Sequence, residues 1–250
     1  MRRNLLLPVA VMFVLSSALS AQTVIRPFNG TNLDGWRINQ LQNRESHWQV
    51  GRLVANATTF EIAPVPAGGQ RQNFVPNTPA QPRGGMQPAM INMAGRGVCI
   101  YTEQRFADLT VKLEFNIPSG SNSGVYLMGE YEVQIFDSFA RPLDYTLNTG
   151  SMGGIYNVAA PLRNASGVPG TWQTMEIEFV APRFDAEGNK TSNAIAKRVV
   201  LNGVLIHENV EIPGPTGGGL TDREAPTGPL RFQGTHGRVA FRNIEIIVKE

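Results

Sequence analysis

Between residues 130 and 135 the chain alternates without a break. Tyr131, Val133 and Ile135 fall on one side of an extended strand, and Glu130, Glu132 and Gln134 on the other. Such a pattern fits a strand with two unlike faces, one apolar and one carrying acid and amide groups. Residues 121–128 read as its hairpin partner, with the turn at Gly129-Glu130. Strand side chains two apart share a face at a rise of roughly 3.3 Å per residue, so the carboxylates of Glu130 and Glu132 can lie within roughly 5 to 9 Å. That spacing suits acid/base work on a sugar. A solvated outer face is the competing reading, since Glu is common there. The presence of Gln134 and the absence of Lys or Arg on that side favour a groove that binds hydroxyls.

The rest of the chain repeats the strand signal. Apolar, alternating or β-branched runs cover residues 98–102, 109–117, 172–180, 198–201, 204–208, 230–233 and 239–248, and Asn202-Gly203 between two of them is a strong hairpin signal. No segment sustains a helical period, and 26 Gly and 17 Pro punctuate throughout. The fold class is all-β, a two-sheet β-sandwich of jelly-roll type, with a closed barrel the alternative. Residues 63–97 turn to Pro, Gly, Gln and Asn and read as a long loop or insertion able to cover a site.

Residues 1–21 have the form of a secretory signal peptide: Arg2 and Arg3, an apolar run, then small residues ending at Ala21 before Gln22. The mature chain, residues 22–250, is expected to be one domain, exported to the periplasm or medium, with no membrane anchor. Losing Arg2 and Arg3 brings the formal charge from +2 to zero, which implies no nucleic-acid partner. The single cysteine, Cys99, permits no internal disulfide and lies in an apolar run as a small buried hydrophobe.

His236, flanked by Thr235 and Gly237 between two strands, is the histidine best placed to approach a ligand and titrates near neutrality. His47 and His207 sit inside strand-like runs and read as surface residues. The glycine-rich segment 148–157 lacks the following helix of a phosphate loop, but offers close backbone approach and Tyr156 as an aromatic that could stack on a sugar or pack in the core. Trp172 reads as a structural anchor. No spacing requires a metal or other cofactor, and a divalent cation is left open. No G-x-S-x-G elbow occurs.

Several motifs carry a resemblance: Phe28-Asn29-Gly30-Thr31-Asn32-Leu33-Asp34-Gly35-Trp36; Ser123-Gly124-Val125-Tyr126-Leu127 running into Glu132-Val133-Gln134-Ile135-Phe136-Asp137; Gly170-Thr171-Trp172-Gln173; Leu201-Asn202-Gly203-Val204; Gln233 with His236-Gly237; and Phe241-Arg242-Asn243-Ile244. In this order the chain resembles the bacterial 3-keto-disaccharide hydrolases. The resemblance implies a concanavalin A-like jelly roll acting on an oxidised glycoside, with Glu132, Gln134 and His236 at catalytic motif positions. Glu130, Tyr126, Tyr156, Asn122 and Gln233 are the expected substrate-binding residues. Two other classes remain open: a carbohydrate-binding module in which Tyr126, Tyr156 or Trp36 dominates affinity, and an endo-glycosidase using Glu130 and Glu132 as a pair.

Overall fold

The computed structural model describes residues 22–40, 43–56, 58–63, 87–142 and 144–249. The leader-like residues 1–21 and the segment 64–86 lie outside them. Sixteen strands and no helix are found among the described residues: β1 (Gln22–Ile25), β2 (Trp36–Ile38), β3 (Trp48–Ala55), β4 (Phe60–Ala63), β5 (Pro88–Asn92), β6 (Ile100–Phe106), β7 (Leu109–Asn116), β8 (Asn122–Leu127), β9 (Tyr131–Phe136), β10 (Gln173–Val180), β11 (Arg183–Phe184), β12 (Lys190–Ser192), β13 (Ala194–Leu201), β14 (Val204–Ile212), β15 (Gly228–Phe232) and β16 (Val239–Lys249).

They form a jelly-roll β-sandwich. One sheet runs β14-β13-β10-β7-β16-β5-β3-β4 with β1 alongside β16, the other runs β2-β6-β15-β8-β9, and β11 and β12 make a small ribbon. The apolar positions of β7, β10 and β13 alternate toward the space between the sheets, as a strand buried on one face requires. A column of rings joins the two layers: Trp36 stacks on Phe232 at 5.3 Å, Phe232 on Phe241 at 3.9 Å, and Trp48 on Phe241 at 6.2 Å. Trp36 also donates its indole N–H to the Pro27 carbonyl at 2.8 Å. It is a core anchor and not the exposed sugar platform considered above.

Three details differ from the sequence expectation. The stretch read as loop from 63 to 97 contains β5, whose Ala89, Met90 and Ile91 are fully buried between β16 and β3. A short central strand covered on both faces shows no alternation to read. The β8–β9 turn is centred one residue earlier, on Met128 and Gly129, both with positive φ (53° and 77°) as a type I′ turn demands, and Glu130 N–H closes it on the Leu127 carbonyl at 3.0 Å. His207 is buried, not on the surface. Its Nε2 lies 2.8 Å from the Gly153 carbonyl, and burial lowers its pKa.

Candidate active site

The face of the five-stranded sheet turned away from the core carries the site. Cross-strand pairing aligns Arg37, Tyr101, Arg231, Tyr126 and Glu132 in one row over β2, β6, β15, β8 and β9. The neighbouring row contains Gly124 opposite Gln134, with Gln233 bonded to Gly124 through its backbone N–H at 3.0 Å.

This face is not open to water. Beyond β9, the Gly153 N–H donates to the Gln134 carbonyl at 2.7 Å, Gln134 N–H to Gly154 at 2.8 Å and Tyr156 N–H to Glu132 at 3.1 Å. The glycine-rich segment therefore extends the sheet and sets half-buried Tyr156 beside Glu132. Above it, residues 213–227 are tied down by many bonds. The Thr216 hydroxyl accepts from Glu132 N–H at 2.9 Å, and Leu220 N–H donates to Gly129 at 2.9 Å. A Cβ at Gly218 would come within 3.4 Å of the Tyr126 hydroxyl. As a result Glu130, Glu132 and Gln134 are only 5%, 3% and 5% exposed.

The two carboxylates do different work. Glu130 binds the loop: it accepts from Thr221 N–H (2.9 Å), Thr221 hydroxyl (2.8 Å) and Asp222 N–H (2.9 Å). Burial raises its pKa while those donors pull it back. Glu132 makes no bond to the loop through its carboxylate. It accepts, at 3.3 Å, from the Gln233 side-chain amide, which also donates to the Tyr126 hydroxyl at 3.1 Å. Burial pushes the Glu132 pKa up to about 7, against the lowering effects of Tyr126 and Arg231. A carboxyl near half-ionisation at neutral pH is suited to both taking and giving a proton.

Around Glu132 the floor is rich in unspent polarity. Asn122 Oδ1, Gln134 Oε1, Gln233 Oε1 and Arg231 Nε are buried and have no partner among the described residues. Native proteins rarely leave such groups unpaired, and three acceptors on one face match a ligand rich in hydroxyl donors. The structure thus brings Glu132, Tyr126, Gln233, Gln134 and Asn122 onto one face, with Tyr156 at its margin. His236 stays at the rim, exposed, its Nδ1 2.8 Å from Thr235 Oγ1. Partial desolvation and then the Arg44 charge lower its pKa. Its loop is held from below by Asn92, whose side-chain amide donates to the carbonyls of Gly234 (3.1 Å) and Gly237 (2.9 Å). Arg231 was not foreseen. The signal was a lone Arg within the buried Gly-Pro-Leu-Arg-Phe strand, in phase with Gln233. Among the described residues no group of three or more His, Cys, Asp or Glu side chains converges to hold a metal.

If Glu130 serves the loop, Glu130→Gln replaces one acceptor by a donor facing an N–H. The expected result is a stability loss of about 1–3 kcal/mol and faster amide exchange at Thr221 and Asp222. Hydrogen-exchange mass spectrometry over residues 213–227 checks it.

A buried carboxyl and a floor of unpaired acceptors on a jelly-roll sandwich form an arrangement suited to a sugar ligand. Residues 23–247 match the 3-keto-alpha-glucoside-1,2-lyase-like domain, and the chain belongs to that family. Two solved structures from Parabacteroides distasonis ATCC 8503, both provisionally described as glycosyl hydrolases, share the fold. One is 24% identical, with a TM-score of 0.60, covering 89% of this chain and 82% of that one. The other is 16% identical, with a TM-score of 0.54, covering 89% and 92%. No curated protein matches the chain.

Proposed function

We propose that this protein is an exported enzyme that breaks the glycosidic bond of 3-keto-glycosides by elimination followed by hydration. The observation that carries the proposal is Glu132, a carboxyl buried to 3% exposure, its pKa pushed up to about 7 by that burial, on a floor of unpaired acceptors. A ketone at C3 acidifies the hydrogen on C2. Glu132 takes that proton, the electron pair passes through the enolate, and the C1–O bond breaks. The carboxylic acid so formed returns the proton to the leaving oxygen, and water then adds to the enone, so that the net change is hydrolysis. Gln134 and Gln233 offer amide groups to the enolate oxygen and the sugar hydroxyls.

The reaction needs one proton-transfer group placed beside C2 rather than two opposed carboxylates, which agrees with Glu130 being committed to the loop. Purified protein is incubated with a 3-keto-disaccharide and, separately, with the same disaccharide unoxidised. Release of free sugar from the oxidised compound alone is expected. Equal release from both would make it an ordinary glycosidase, and binding without release a carbohydrate-binding module.

A further inference from the structure

Arg231 is among the largest fully buried side chains, 2% exposed, and among the described residues it forms no ion pair with a carboxylate. Its guanidinium is spent on weak partners. Nη1 donates to the carbonyls of Gly218 (2.7 Å) and Gly129 (3.5 Å), Nη2 to Cys99 Sγ (3.1 Å), and Nε has none. Burying a cation without a counter-charge is costly, and an apolar side chain of similar volume would remove the cost. A fold that keeps it there needs a return in function.

The geometry points to Glu132. The guanidinium carbon lies 4.3 Å from the Tyr126 ring centroid, and Tyr126 is the direct cross-strand neighbour of both Arg231 and Glu132. The Gln233 side-chain amide bridges the Tyr126 hydroxyl (3.1 Å) and the Glu132 carboxylate (3.3 Å), and the nearby Tyr126 hydroxyl favours the ionised carboxylate. Around Glu132, Tyr126 from β8 and Gln233 beyond β15 reach the carboxylate, Gln134 and Glu130 flank it in sequence, and Tyr156 from the edge segment and Thr216 from the loop bond its backbone. Of these only Glu130 is a carboxyl, and it is held by its own three donors. Arg231 is the cation within reach, and the residues over it seal it from substrate. We propose that Arg231 is a positioning residue: a sealed cation that acts through the ring and hydroxyl of Tyr126 to keep Glu132 ionised and able to accept a proton. This deepens the reading of Glu132 as the proton-transfer group and rests on it.

The test reads the carboxyl directly, without substrate. The Glu132 side-chain carbon is followed by NMR titration of 13C-glutamate-labelled protein and assigned by its disappearance in Glu132→Gln. In Arg231→Gln the midpoint is expected to rise by about one unit or more, while Arg231→Lys, which returns the charge, recovers at least half of that rise. A purely structural Arg231 would lower thermal stability and leave the midpoint where it is in wild type, and that result would overturn the proposal. Tyr126→Phe keeps the ring and the stacked cation but cuts the link, so it answers even where Arg231→Gln does not fold. Its midpoint is also expected to rise, and an unmoved one would overturn the proposal. Wild-type protein inert toward 3-keto-glycosides would count against the catalytic reading alone, since the titration stands without turnover.

Discussion

Glu132→Gln is expected to cut turnover by orders of magnitude and to make the protein more stable at pH 8. The two effects have one cause. Ionised Glu132 sits in a buried site that disfavours its charge, which raises its pKa from the ordinary 4.5 to about 7. The folded state therefore holds a proton more tightly than the unfolded chain. The stability linked to that proton is fully present below about pH 4.5 and is lost as pH rises through about 7. The shift corresponds to about 3 kcal/mol between those limits. Replacing the carboxylate by a neutral amide of the same shape restores part of it, so a gain of about 1–3 kcal/mol at pH 8 is expected, several degrees in Tm for a chain of this size. At pH 4.5 the gain vanishes, because wild-type Glu132 is then protonated in the fold. Turnover falls by about 10²- to 10⁴-fold, the usual worth of a positioned proton-transfer group. The acidic limb of wild-type kcat/KM, with its midpoint near 7, disappears with it. Scanning calorimetry at both pH values and a pH–rate profile check the pair of effects. A variant equally inactive but no more stable at pH 8 would show that Glu132 is not a strained carboxylate.

That strain also marks the boundary of what could be read from the residues alone. Alternation along a strand reports which side chains share a face, so Glu130, Glu132 and Gln134 were grouped correctly, and the same rule located most of the long strands. It does not report what covers that face. Here the cover comes from residues 213–227, far away in sequence, while residues 153–156 close the sheet edge, and together they turn a face that resembled a solvated one into a buried floor. The same contacts separate the two carboxylates, since Thr221 and Asp222 bind Glu130 while Tyr126 and Gln233 reach Glu132. β5 escaped notice because burial on both faces erases periodicity, and His207 because a buried histidine bonded to a backbone carbonyl leaves no local pattern. Arg231 follows from the same limit. An isolated Arg in a strand reads as a surface residue until the loop above it is known.

Gly124→Ala is expected to disable the site from the neighbouring strand while leaving the catalytic groups in place chemically. Gly124 stands opposite Gln134 in the β8–β9 ladder, and the Glu132 side chain leans over it. A Cβ there would overlap the Glu132 carboxylate oxygen and lie 2.9 Å from both its Cγ and Cδ. The neighbour cannot swing clear, because Tyr126 and Gln233 hold the carboxylate and the site is closed by residues 213–227. Either the carboxylate turns away from the bound sugar or β8 shifts, and overpacking of this kind costs about 1–3 kcal/mol. A displacement of about 1 Å at a reacting group is enough to cost about 10²-fold in rate, so kcat is expected to fall at least that far. Substrate affinity through Gln134, Gln233 and Asn122 falls less, giving a loss carried by kcat more than by KM. Comparison with Ser123→Ala, next in sequence but on the core side of β8, separates displacement of Glu132 from general weakening of the strand. Ser123 bonds only the Gln233 carbonyl, at 2.7 Å, and its loss should cost stability with a smaller effect on kcat. Equal kcat losses in the two variants would mean that the strand as a whole, and not the space kept empty at Gly124, governs the position of Glu132.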